Sequence, residues 1–179
     1  MNQNPNQQPD PSHGNAAAPR TGCRVFELAD ESGTARLGQA LAAELPPDAV
    51  VALHGTLGAG KTRLVQALAE AAGVPRRDVV SPTFVLVQEY YGQTERGEVP
   101  IVHMDAYRLP GAEEFRQMGG EEYFEGAGWV LIEWAERIAE CLPAELLEIT
   151  LEVTGDETRR ATLVGHGERY AAMIQRLAL

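Results

Sequence analysis

The period of apolar positions changes several times along the chain, and each change marks an element. "CRVFELAD", starting at Cys23, alternates as a half-buried strand does, and "DESGTARLGQALAAEL" then takes helical spacing, opened by Asp30 or Ser32 and ended by Pro46 and Pro47. "AVVALHG" is a continuous apolar run, which suits a strand covered on both faces. "KTRLVQALAEAAG" returns to helical spacing at Leu64, Leu68 and Ala71–Ala72, and Gly73 with Pro75 stops it. "TFVLVQEYY", "PIVHMD" and "GWVLIEW" read as further strands. A helix and a shorter helical turn, split at Gly119–Gly120, are expected in "GAEEFRQMGGEEYF", and another helix in "AERIAECLP". "ELLEITLEVTG" and "TRRATLVGHG" form a hairpin, and "ERYAAMIQRLAL" a closing amphipathic helix. Strands interleaved with helices predict an α/β fold: a three-layer P-loop NTPase-type sheet, mostly parallel, with antiparallel edge strands.

Composition narrows this picture in three ways. With 179 residues, 44% of them apolar, the chain has material for one domain, and its apolar runs fall short of the ~18–20 residues that cross a bilayer. A soluble protein without membrane association is therefore expected. Residues 1–22, rich in Asn, Gln, Pro and Ala, lack the apolar core of a signal peptide and read as a disordered tail ahead of a single domain at 23–179. Cys23 and Cys141 stand in no metal-type spacing and suit reduced thiols of a cytoplasmic protein. The net charge of −11 opposes extensive binding to a phosphate backbone, and the pairs Arg76–Arg77 and Arg159–Arg160 are too small to reverse it.

The chemistry is concentrated in "HGTLGAGKT". Gly55, Gly60, Lys61 and Thr62 match G-x-x-x-x-G-K-[ST], between an apolar strand and a helix. Glycines let successive N–H groups converge on phosphate oxygens, and the helix adds the positive end of its dipole. Lys61 is expected to reach the β- and γ-phosphates and Thr62 to offer its hydroxyl to Mg²⁺. Leu57, Gly58 and Ala59 contribute exposed N–H groups, and Arg63 is counted with the loop. His54 reads as a strand-end residue outside the chemistry.

A phosphate loop at the carboxyl edge of a parallel sheet needs an acid delivered to the same edge. "IVHMD" ends in Asp105 and "VLIE" in Glu133. Glu133, after the more continuously apolar strand, is the stronger candidate, either for Mg²⁺ through a water or for positioning the attacking water, and Asp105 shares the metal or polarises that water. Sequence leaves their roles undivided. "VVSPTFVLV" places Ser81 and Thr83 either in a γ-phosphate-sensing switch or in an ordinary Ser-Pro turn. Strand alternation puts Trp134 on the side opposite Glu133, packed under the sheet edge or exposed to a partner.

In order and spacing, "GTLGAGKT", "SPTFVLVQEY", "HMDAYRL", "EEYF" and "LIEWAERI" resemble the TsaE family, the small bacterial ATPase of tRNA threonylcarbamoyladenosine (t6A) synthesis, over about residues 25–155. The resemblance implies ATP and Mg²⁺ binding, weak hydrolysis, and action on a TsaD–TsaB complex that modifies adenosine 37 of tRNA; the net charge of −11 adds the expectation that tRNA is held mostly by the complex, with direct contact left open. It places phosphate and metal binding on Lys61, Thr62 and Glu133, and a functional acid on Asp105. Trp134 takes the position of the family's tryptophan, and Ser81 and Thr83 form a switch-like segment. Met104, Ala106 and Ala135 depart from the usual family residues beside these acids.

Three other readings compete. A GTPase is opposed by the lack of Asn-Lys-x-Asp and of D-x-x-G after the loop. A small-molecule or nucleotide kinase would need an arginine-rich lid, for which Arg108 and Arg116 are poor substitutes. A non-hydrolysing ATP-binding module would use the same loop.

Overall fold

The two most apolar runs form neighbouring strands at the centre of a seven-stranded sheet of order β1-β7-β6-β2-β5-β4-β3. In the computed structural model, which describes residues 21–126 and 128–179, the strands are β1 (Thr21–Leu28), β2 (Val50–His54), β3 (Val87–Thr94), β4 (Gly97–Asp105), β5 (Trp129–Glu133), β6 (Leu147–Val153) and β7 (Arg159–His166). Of the disordered tail expected at residues 1–22, residues 1–20 lie outside the described residues, and Thr21 and Gly22 open β1. Strands β6, β2, β5 and β4 pair in parallel, and β1, β7 and β3 add antiparallel pairings at the two sides.

Parallel strands need cover on both faces, and alternation along each strand supplies it. Val51, Leu53 and Leu131 face α1 (Glu31–Glu44), α2 (Lys61–Ala71) and α4 (Glu168–Arg176), where Leu37, Leu41, Leu64, Leu68 and Ile174 bury against them. Val50, Ala52, Val130 and Ile132 face the other layer, with Phe115 from α3 (Ala112–Gln117) and Ile138. Asp30 caps α1, its carboxylate accepting the Gly33 N–H at 2.9 Å. None of the described helices is long and apolar enough to cross a membrane.

Two segments differ from their sequence patterns. "TFVL" is β-rich, yet residues 83–86 form a turn and the strand starts at Val87. The Pro82 carbonyl accepts both the Val85 and the Leu86 N–H, and Leu86 turns back at φ 68°. "AERIAEC" has helical spacing but winds as 3-10 turns over Ala135–Cys141, with Ile138 at φ −124° breaking the coil. Trp134 at φ 58° starts this segment and Pro143 follows it closely, so a regular α-helix has little room to propagate.

A buried hydroxyl ties the last helix to the first central strand. Tyr170 is fully enclosed, and its Oη accepts the Val50 N–H at 2.9 Å. Burial pushes the Tyr170 phenol up from its ordinary pKa. Tyr170→Phe keeps the ring but leaves a buried N–H unpaired. It should lower unfolding stability in urea by about 1–3 kcal/mol.

Candidate functional site

The loop between β2 and α2 is shaped by its glycines. Gly60 stands at φ 106°, where a β-carbon is disfavoured, and gives its carbonyl to the Leu64 N–H at 2.9 Å to start α2. At Gly55 (φ 136°) a side chain would collide with the Leu151 carbonyl. The Ala59 N–H, expected to point outward, instead closes a turn onto Thr56 O at 3.1 Å. The first N–H groups of α2 have no acceptor within the helix, so they remain available to an anion at its positive end.

Lys61 folds back over this loop. Its Nζ donates to Gly55 O at 2.7 Å and Thr56 O at 3.1 Å, and lies 3.7 Å from the centre of the Trp134 ring. Burial lowers the Lys61 pKa from its usual value, opposed by the carboxylates of Glu133, Glu136 and Asp105. A phosphate would compensate this ammonium as water no longer does.

Parallel pairing sets Asp105 directly opposite Glu133 at the ends of β4 and β5, and both are buried. Glu133 Oε1 accepts the Thr62 hydroxyl at 2.7 Å. A hydroxyl bonded to a carboxylate keeps lone pairs free, and hard oxygens of this kind suit Mg²⁺, so Thr62 and Glu133 fit such an ion. Asp105 is engaged differently. Its Oδ2 accepts Ser81 Oγ at 3.0 Å and Thr83 Oγ1 at 2.6 Å, and its Oδ1 accepts the Tyr107 N–H at 2.9 Å. This acid therefore ties the Ser-Pro-Thr turn to the sheet.

A cleft of about 460 Å³ gathers these groups. It is lined by Leu57, Gly58 and Gly60–Arg63 from the loop, by Ser81, Thr83, Asp105 and Glu133, and by Tyr107 and Trp134. Gly55 and Ala59, expected with the other loop residues, are not among its lining residues. Trp134 is not on the far side of the sheet. The strand ends at Glu133, and the left-handed turn at Trp134 brings its ring back over Lys61 and to 4.9 Å from the Tyr107 ring. Arg63 lines the cleft, but its Nε is held by Glu31 Oε1 at 2.7 Å. A second cleft of about 610 Å³ adjoins the loop at Gly58 and Gly60, bounded by Asp30, Ser32, Asp156 and Arg159.

Sequence reading missed Tyr107 and His103. His103 Nε2 lies 2.9 Å from Glu133 Oε1. The available signal was its spacing of two from Asp105, which puts both side chains on one face of β4. His54, set aside from the sequence, has its Nδ1 at 3.1 Å from Glu136 Oε2.

The chain is similar to known proteins in both sequence and fold. The family model "Threonylcarbamoyl adenosine biosynthesis protein TsaE" matches residues 28–161. The tRNA threonylcarbamoyladenosine biosynthesis protein TsaE of Bacillus subtilis is 39% identical over 145 residues, covering 81% of this chain and 87% of that protein. Its namesake in Treponema pallidum is 39% identical over 130 residues, covering 73% and 92%. The crystal structure of YdiB from Bacillus subtilis superposes with a TM-score of 0.68 at 32% identity, covering 87% of this chain and 94% of that one. On both the sequence match and the shared fold, this chain belongs to the TsaE family.

Proposed function

We propose that the chain is a Mg²⁺-dependent ATP-binding protein with weak ATPase activity that supports t6A modification of tRNA adenosine 37 by acting on a TsaD–TsaB complex. The observation that carries this reading is the hydrogen bond from Thr62 to Glu133 at the mouth of the phosphate loop. It joins the loop hydroxyl to a strand-end acid at the positive end of α2, the pairing that Mg²⁺ on a triphosphate uses. The names of the relatives supply the pathway.

The α2 N-terminus and the loop amides hold the phosphates, and the adjoining cleft of about 610 Å³ gives the nucleoside room. Lys61 exchanges the Gly55 and Thr56 carbonyls for phosphate oxygens, which moves its ammonium relative to the Trp134 ring. A Mg²⁺ ion held by Thr62 and Glu133 would neutralise charge on the transferring phosphoryl group. Asp105 fixes Thr83 and Ser81 beside the cleft, so this turn links the phosphate end of the site to a protein partner.

Turnover by the isolated chain is slow in this reading. Among the described residues Arg63 is the one arginine lining the cleft, and its tie to Glu31 keeps it from acting as an arginine finger. Such a finger supplied from outside is worth ~10³–10⁵ in rate. The net charge of −11 favours tRNA being held by the partner proteins. Two free thiols, Cys23 and Cys141, suit work in the cytoplasm.

Phosphate release by the purified chain, alone and with TsaD–TsaB, tests the proposal. Stimulation by the complex is the expected result. Transfer to a small acceptor would make the chain a kinase, and tight binding without turnover in either condition would make it a binding module. Lys61→Ala and Glu133→Ala should each reduce hydrolysis to background, and an undiminished rate would remove that residue from the mechanism. Thr83→Ala should cut stimulation by the partners more than it weakens nucleotide binding, as titrations of both would reveal.

A further inference from the structure

Strand β4 carries a polar side chain where its pattern calls for an apolar one. Val99 and Ile101 bury on the face that meets α2, and His103 continues that face with no exposure at all. Its Nε2 donates to Glu133 Oε1 at 2.9 Å, on the same oxygen that accepts the Thr62 hydroxyl at 2.7 Å. The other ring nitrogen, Nδ1, is buried and has no hydrogen-bond partner among the described residues. A buried polar atom left unpaired is costly, and a leucine would fill this face without that cost. What the imidazole adds over a leucine is the Nε2 bond.

We propose that His103 is a positioning residue for the nucleotide-bound metal, acting through Glu133. Two donors converging on Oε1 fix the carboxylate about its last torsion. Oε2 carries no hydrogen bond among the described residues and is the oxygen left for the cleft. Thr62 alone is a weak anchor, because the hydroxyl that holds Oε1 is also the one offered to the metal. His103 comes from a different strand and keeps Glu133 aligned while Thr62 adjusts. The strand pairing makes this reach possible: Asp105 lies opposite Glu133 and His103 opposite Leu131, so the imidazole approaches Glu133 along a diagonal of the sheet. Outer-sphere partners of this kind are typically worth 10–100-fold in metal affinity.

This inference rests on the Mg²⁺–ATP reading above, and one experiment separates the two. Calorimetry measures binding of the non-hydrolysable analogue AMP-PNP with Mg²⁺ and, separately, with EDTA, for the wild-type chain, His103→Gln and His103→Asn. Glutamine carries its amide nitrogen to about the place of Nε2, whereas the asparagine amide stops short, near Nδ1. His103→Asn should lose about 10–100-fold in affinity for the Mg²⁺ complex while binding the analogue in EDTA as the wild type does. His103→Gln should stay within a few-fold of wild type in both conditions. Thermal melts report folding; should His103→Asn not fold, His103→Leu, which fills the face without a donor, takes its place with the same expectation. Unchanged Mg²⁺ dependence in the donor-less variant, or equal losses in both variants and both conditions, would overturn the positioning role and leave ATP binding standing. A wild-type chain that binds AMP-PNP in neither condition overturns the ATP reading, and this inference with it.

Discussion

Glu133 Oε1 is where the start of α2 beside the glycine-rich loop, β5 and β4 are joined, through Thr62 from one side and His103 from the other. That junction depends on the parallel pairing of β2, β5 and β4, whose carboxyl ends all finish at one rim. The Asp105–Glu133 register then follows, since both strands end at the same level. A slip of one residue would turn either acid to the opposite face, away from the loop. The edge strands and helices serve this geometry by covering the central strands well enough to hold their register.

The rim concentrates charge that a core would not accept unpaired. Lys61, Asp105 and Glu133 are each at most 4% exposed, and each is held by hydrogen bonds. Each is also held in a way a ligand could replace or use. The ammonium rests on loop carbonyls, one carboxylate is bonded to a hydroxyl that retains free lone pairs, and the other anchors a turn that stands beside the cleft. Trp134 belongs to the same arrangement, its ring face covering the ammonium that burial has partly stripped of water. Exposed apolar groups flank the cleft, Leu57 from the loop and Phe84 from the turn, with the Arg108 guanidinium 4.3 Å from the Phe84 ring centre. Both apolar side chains stand largely in solvent.

Much of this was legible along the chain because the signals were local. Apolar runs at 50–53 and 129–132 need cover on two faces, which marks them as central parallel strands, and Gly55, Gly60, Lys61 and Thr62 carry their spacing with them. The strand ends at Asp105 and Glu133 could be read from the polar residue closing each run. Where local signals misled, a tertiary bond had taken over. The β-rich "TFVL" turns because Asp105 draws the Ser81 and Thr83 hydroxyls to the rim and Pro82 accepts two N–H groups. "AERIAEC" keeps its apolar spacing but not its α-helix, because Trp134 is held in a left-handed turn with its N–H on Leu53 O.

The sequence by itself determined the fold class, the glycine-rich loop between a strand and a helix, and the identity of two acids at one sheet edge, since these rest on period, spacing and the conformational freedom of glycine. The tertiary structure decided how those residues divide their contacts: Glu133 with the loop hydroxyl and His103, Asp105 with the Ser-Pro-Thr turn, Trp134 over Lys61. Each pairing joins residues far apart in the chain, so no local pattern could encode it. Strand register and the direction of one left-handed turn place the partners within reach, and both are fixed only when the sheet is assembled.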